Sequence, residues 1–160
     1  MKSLNELIAD AGKLASPSTS SLEDFADRIS ELASKVTRTL EKRDDIEQLV
    51  GKDNLEMMGN NHNNALRFMH SIMSTYEPKV FVETVLWVFR TYQAHGFTQA
   101  YWPAWLDTLL SIMKDEVAEQ SYVELSPFFD WLIVNIPVFA HLSQTTPSAW
   151  EEGAMPSHGE

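Results

Sequence analysis

Residues 78–113 read PKVFVETVLWVFRTYQAHGFTQAYWPAWLDTLLSIM, two aromatic-rich helical patterns joined by a short break at Gln93–Phe97. In both halves the apolar residues recur at intervals of three and four, which places them on one face of an α-helix. Pro78 suits the first turn of a helix, where its missing N–H would have no helical partner. This layout predicts a helical sandwich with a ligand pocket beside the break.

The rest of the chain has the same helical spacing and no alternating strand pattern. The expected helices cover residues 4–14, 21–40, 46–50, 53–76, 78–95, 101–117 and 128–141. A Ser126-Pro127 start is expected for the last of them, and Pro137 inside it is expected to bend the helix rather than end it, with the kink near Ile133. The sequence therefore predicts an all-α fold of about six to seven helices, the last one kinked at Pro137.

The chain divides into three parts by composition. Residues 1–20 are expected to form a helical arm and a linker, with the arm detachable from the rest. Residues 21–144 carry the helical domain. Residues 145–160 contain proline, glycine and acidic side chains and are expected to form a flexible acidic tail.

The overall charge and the absence of cysteine exclude several functions. The chain has 160 residues, of which 23 are acidic and 12 basic, giving a net charge of -11. Such a balance disfavours nucleic acid and anionic membranes as partners, since both attract clustered Lys and Arg. Without Cys there is no disulfide, thiolate metal site or thioether-linked cofactor. No signal core or long apolar run appears, so a cytoplasmic location is expected.

Sequence motifs for catalysis are lacking. There is no glycine-rich phosphate loop, no G-x-S-x-G and no H-E-x-x-H, and no Glu is followed by His three residues later. The acidic pairs, Asp44-Asp45 and Glu151-Glu152, are typical of a helix cap and of a solvated tail. We therefore expect a protein that is not an enzyme and has no catalytic residues.

Two histidines are the candidate ligand residues. His62 falls in the middle of the apolar face of the 53–76 helix, within Gly59–Asn64, a run of residues that weakens a helix. His95 is expected on the inward face of the next helix, so the two imidazoles can approach each other. The apolar wall around a flat macrocycle would come from Met58, Met69, Phe81 and Tyr92. The plainer alternative is that both histidines are hydrogen-bonded core residues.

A subunit interface is expected from two features. Trp87 falls in an outer stripe that otherwise holds charged residues. The apolar seam from Leu22 to Leu40 is continuous; most such seams are core faces, but the same pattern would also serve a partner helix in a dimer. These features predict a homodimer with Trp87 at the interface.

The succession of helices from Leu22 to Ser143 resembles the globin superfamily in its broad sense, which includes haem globins, phycobilisome-type proteins and haem-free bacterial sensor domains. His62 matches the distal position, and His95 lies at the end of the helix that carries the proximal one. Gly96 follows His95 directly and Cys is absent, and both facts favour the haem-free branch. The resemblance implies a sensory or regulatory module without a cofactor that acts through dimerisation and a protein signalling partner. The alternative it implies is a protein that binds haem b or another noncovalent tetrapyrrole, with His95 and His62 as ligands.

Overall fold

The structure, a computed structural model, describes residues 1–145 and contains eight α-helices within that range. They are α1 (Leu4–Ala11), α2 (Thr19–Glu41), α3 (Ile46–Val50), α4 (Leu55–Ser74), α5 (Pro78–Ala94), α6 (Tyr101–Glu116), α7 (Glu119–Val134) and α8 (Ile136–Thr145). No strand occurs among these residues, so the predicted all-α class is confirmed. From residue 146 onward, the expected acidic tail lies outside the described part of the chain.

The long helix α2 is the centre of the fold. It packs against α4, α6 and α7. Its first turn is capped by Ser18, whose side chain accepts a hydrogen bond from the Ser21 N–H. Its apolar seam is buried within this chain, from Phe25 at 0% exposure to Leu40 at 0%. The seam is therefore a core face, which was the first of the two interpretations that its sequence pattern allowed.

The first helix is part of the same core. Leu7 and Ala11 are both fully buried, and α1 packs against α5. The Tyr76 hydroxyl donates a hydrogen bond to the Ala11 carbonyl oxygen at 2.6 Å, and the Trp131 indole N–H donates to Asp10 at 2.9 Å. These contacts differ from the detachable arm expected from the sequence, because the apolar face of α1 has a partner in this chain.

The break after α5 is held against the corner between α3 and α4. The Asn54 side-chain amide donates hydrogen bonds to the backbone oxygens of Val50 at 2.8 Å and His95 at 2.7 Å. Gly51 and Gly96 meet here with φ of 94° and 103°, conformations that favour glycine. A Cβ on Gly51 would lie 3.2 Å from the Gly96 oxygen. The two turns thus fix where α5 ends and α6 begins.

The last part of the fold is two helices rather than one. Asn135 separates α7 from α8, and the two axes are bent by 52°. Pro137 lies in the first turn of α8, where a missing N–H is tolerated. The apolar pattern does continue beyond it as expected, but the break falls at Asn135 rather than near Ile133. The expected start at Pro127 is wrong, because that proline lies inside α7. This break raises the helix count above the predicted six to seven.

Within residues 1–145 no single helix is long and apolar enough to span a membrane. The helices α7 and α8 meet the requirement of length and composition only together, as the bent pair.

Candidate functional site

A cavity of about 380 Å³ lies between α4 and α5. From α4 it is lined by Met57, Asn61, Asn64, Ala65, Phe68 and Met69. From α5 it is lined by Thr84, Val85, Trp87, Val88, Phe89, Thr91 and Tyr92. The remaining wall consists of Trp102, Trp105 and Leu106 of α6, Phe129 and Leu132 of α7, and Ile136 of α8. Five helices therefore enclose one space.

The wall of this cavity is apolar and aromatic, with a few neutral polar groups. No charged side chain occurs among the described residues that line it. Burial raises the pKa of the Tyr92 phenol above its ordinary value, so this group is neutral at physiological pH. A volume of this size is within the range of roughly 300–1,000 Å³ typical of small-molecule sites. The cavity is thus suited to a small neutral molecule.

The mouth of the cavity lies at the surface between α4 and α5. Asn64 is exposed on one side, and Trp87 is 42% exposed on the other. The expectation that Trp87 points outward is confirmed. Because Trp87 also lines the cavity, a single side chain is in contact with both the interior space and the solvent.

His62 is fully buried, as its place on the apolar face of α4 predicted. Its Nδ1 lies 2.8 Å from the Thr37 hydroxyl oxygen, and that hydroxyl lies 2.8 Å from the Ala33 carbonyl oxygen. A threonine hydroxyl has one proton, and the carbonyl can only accept it. We infer that His62 Nδ1 carries the imidazole proton and donates it to Thr37, which leaves Nε2 as an acceptor.

The environment of His62 keeps it neutral. Burial lowers its pKa from 6.5 to about 3. Its Nε2 has no hydrogen-bond partner in the part of the chain that the structure describes. The ring stacks on Trp105, with centroids 5.1 Å apart. Trp105 lines the cavity and His62 does not, so the imidazole lies behind the cavity wall.

His95 does not face inward, and this expectation is wrong. It is exposed at the end of α5, and its Nδ1 donates a hydrogen bond to the Thr91 carbonyl oxygen at 2.8 Å. The helix ends at Ala94, so the helical turn of about 100° per residue no longer sets the direction of the next side chain. Neither His62 nor His95 lines the cavity. The two residues therefore do not fit iron ligation of a haem bound there.

The predicted apolar wall is only partly correct. Met69 and Tyr92 do line the cavity. Met58 is fully buried elsewhere in the core, and Phe81 packs against Tyr76 and other rings. The row of α4 that faces the cavity is Met57, Asn61, Ala65 and Phe68. Each residue of that row comes one position before a residue of the apolar face predicted from the sequence. The row therefore lies about 100° around the helix from that face.

Most residues of the wall were not singled out as site residues from the sequence, and the two buried polar side chains Asn61 and Trp105 are among them. Asn61 is 3% exposed, and its side-chain amide donates a hydrogen bond to the Tyr101 hydroxyl at 2.6 Å. Trp105 is 4% exposed, and its indole Nε1 has no partner among residues 1–145. A signal for Asn61 was present, since it lies four residues from both Met57 and Ala65 on one helical stripe.

No group of three or more His, Asp or Glu side chains that could hold a metal ion occurs in the described residues. No family model matches the chain, and comparisons with curated proteins and with solved structures give no match either.

Proposed function

We propose that this chain is a non-catalytic sensory or regulatory module of the globin-like kind. It binds a small neutral molecule between α4 and α5. The outer face of α5 then signals that binding to a second copy of the chain or to another protein. The observation that carries the proposal is the apolar cavity of about 380 Å³ whose rim residue, Trp87, is also 42% exposed.

The chemistry of the wall supports binding rather than catalysis. General acid-base catalysis needs a titratable group within hydrogen-bonding reach of the reacting atoms. In the described lining there is no carboxylate, amine or imidazole, and burial holds the Tyr92 phenol in its neutral form. The globin-like part of the proposal rests only on the helix order: a long helix, a short one, the two helices α4 and α5 on either side of the cavity, and a broken final pair.

The position of Trp87 supports a link between the cavity and the surface. A ligand that contacts its inner side changes the packing of the ring, and the outer side carries that change to a partner. Val80, also exposed at 44%, lies seven residues earlier and hence on the same face of α5. Exposed aromatic and aliphatic side chains on one helix face are typical of an interaction surface.

A neutral fluorescent probe tests the binding proposal. N-phenyl-1-naphthylamine is expected to bind saturably with one molecule per chain. The substitution Ala65→Trp fills the cavity from its wall, and we expect it to weaken binding by about tenfold or more. Ala26→Trp, at an exposed position of α2, is the matched control and should bind as the wild type does.

Two results would contradict the proposal: no saturable binding by the wild type, or equal binding by Ala65→Trp and the wild type. Haem is a useful second probe. Because neither His62 nor His95 lines the cavity, added haem is expected to give no Soret band typical of histidine ligation. Such a band would favour the tetrapyrrole alternative instead.

A further inference from the structure

We infer that the ligand of this cavity is a neutral amphiphile, whose apolar body lies deep in the cavity and whose hydroxyl or amide group lies at the mouth between α4 and α5. There the polar group meets the side chains of Asn64, Thr84 and Thr91. The inference rests on the proposed function, since it names the class of molecule that the same cavity binds.

The deep part of the cavity, its floor, is apolar and buried. Six of the side chains that form it are each 8% exposed or less: Val85, Phe89, Leu106, Phe129, Leu132 and Ile136. A hydroxyl or an amide placed among these residues would lose its hydrogen bonds with water and gain none. The floor is therefore suited to the hydrocarbon part of a ligand.

The mouth of the cavity carries polar side chains on both helices. Asn64 of α4 is exposed, and Thr84 and Thr91 of α5 are partly buried. Seven residues separate the two threonines, which places them on one face of α5 with Trp87 between them. Polarity in this cavity thus changes with depth, from an apolar floor to a polar mouth.

The polar atoms at the mouth are available to a ligand. The Asn64 amide and the hydroxyls of Thr84 and Thr91 make no side-chain hydrogen bond within residues 1–145. Neither hydroxyl is among the buried polar atoms of this range that lack a partner, so solvent reaches both. The hydroxyls of Thr37 and Thr108, by contrast, each donate to a carbonyl oxygen of their own helix. A ligand can therefore take the place of solvent at the mouth.

The lining also decides the charge of the ligand. No charged side chain occurs among the described residues that line the cavity, so a carboxylate or an ammonium would lose its hydration without meeting an opposite charge. The net charge of -11 also repels anions. The side chains of Asn and Thr both donate and accept hydrogen bonds. They match a hydroxyl or an amide, because these groups do the same.

Three naphthalenes of similar size test the inference: 2-naphthylmethanol, 2-ethylnaphthalene and 2-naphthoate. The alcohol and the ethyl compound differ in one OH against CH₃. Hydrophobic transfer alone favours the ethyl compound by about tenfold or more. Calorimetric titration of the wild type should instead show these two binding within about threefold of each other, because hydrogen bonds at the mouth offset that preference. The carboxylate should bind most weakly.

A variant of the mouth locates the hydrogen bonds. The triple substitution Asn64→Leu, Thr84→Val and Thr91→Val keeps the size of each side chain and removes its hydrogen-bonding atoms. We expect it to weaken binding of the alcohol, relative to the ethyl compound, by about fivefold or more.

The matched control makes the same three changes outside the cavity: Asn60→Leu, Thr39→Val and Thr108→Val. None of these residues lines the cavity, so the control should keep the wild-type ratio of the two affinities. NMR of the wild type needs no variant to fold. The side-chain NH₂ signals of Asn64 should move more with the alcohol than with the ethyl compound.

The possible failures are distinguishable. If the wild type prefers the ethyl compound by more than about threefold, the inference about the polar group is wrong while the cavity proposal stands. A wild-type ratio that survives in the triple variant of the mouth also overturns it. Tightest binding by 2-naphthoate would show that the ligand is not neutral. If none of the three compounds binds, the proposed function itself is overturned.

Discussion

Two aromatic clusters of this protein contain the same residue types and differ in what their edges contact. In the closed cluster, Tyr76 and Phe128 meet edge to face with centroids 5.1 Å apart, and Phe81 and Trp131 complete the packing. Its polar atoms are satisfied, because the Tyr76 hydroxyl donates to the Ala11 oxygen and Trp131 donates to Asp10. Both acceptors belong to α1.

The open cluster borders the cavity between α4 and α5. Phe89 and Trp102 stack with centroids 4.4 Å apart, and Trp105 lies beside them with its indole N–H unpaired among the described residues. The cavity of about 380 Å³ lies beside this cluster. Among the described helices, none covers the open cluster and supplies acceptors to it as α1 does for the closed cluster. Aromatic content alone therefore does not distinguish a filled core from one that leaves a cavity. The closed cluster differs in having acceptors for its polar atoms and a helix that covers it.

Truncation of one ring in each cluster gives the largest expected contrast. Phe128 is fully buried in the closed cluster, so Phe128→Ala should lower the free energy of unfolding by about 3–5 kcal/mol. Phe68 is only partly buried and lines the open cavity, so Phe68→Ala should cost about 1–2 kcal/mol. Urea denaturation of both variants measures the difference. Equal losses would show that the two regions are packed alike.

The next largest effect is expected from the buried imidazole of His62, which lies behind the open cluster and makes stability depend on pH. Burial lowers the pKa of His62 to about 3 in the folded protein, whereas an unfolded chain has a value of about 6.5. Between these values the unfolded state takes up a proton that the folded state does not. Stability therefore falls as the pH falls through this window, with a slope of up to about 1.4 kcal/mol per pH unit.

His62→Leu removes that proton uptake. Near pH 7 the variant loses the bond to Thr37 but also the unpartnered Nε2, so its stability should be within about 1 kcal/mol of the wild type. Between pH 7 and about pH 4.5, the variant should gain about 2 kcal/mol of stability relative to the wild type. Urea denaturation at both pH values is the measurement. Parallel pH dependences would show that His62 is not held neutral by burial.

The contrast between His62 and His95 also shows what a sequence pattern can predict. The helical period placed His62 inside, and this is correct because α4 runs unbroken through Gly59 and its asparagines. The same period failed for His95, since α5 ends one residue earlier and the turn is fixed by Asn54 from another part of the chain. Local periodicity predicts burial only while the helix continues.

The cavity itself was predicted only as a pocket beside the break. The stripe that contains Met57, Asn61 and Phe68 can be read from the sequence as a second face of α4. Whether such a face meets a neighbouring helix or an open space depends on how α2 places α4, and on how α8, α1 and the Gly51–Gly96 contact place α5. Those placements depend on contacts between residues far apart in sequence, so no local pattern contains them.

The smallest effect on stability is expected at the rim of the open cluster. Trp87 is 42% exposed, so Trp87→Glu should lower the free energy of unfolding by about 1 kcal/mol or less. We predict a larger effect on association. The wild type is expected to be a homodimer, twice the chain mass of 18.2 kDa, and a charge at the centre of its interface should shift it toward the monomer.

Light scattering at tens of micromolar measures this shift, and Val134→Glu is the matched control. Val134 is 72% exposed at the end of α7 and does not line the cavity, so a carboxylate there adds the same charge away from the rim. If Val134→Glu dissociates the dimer as strongly as Trp87→Glu, the dissociation is caused by the added negative charge and not by its position at the rim of the cavity. A wild type with the mass of one chain would remove the dimer from the proposal. Occupancy of the cavity would then have to act on a different protein through Trp87.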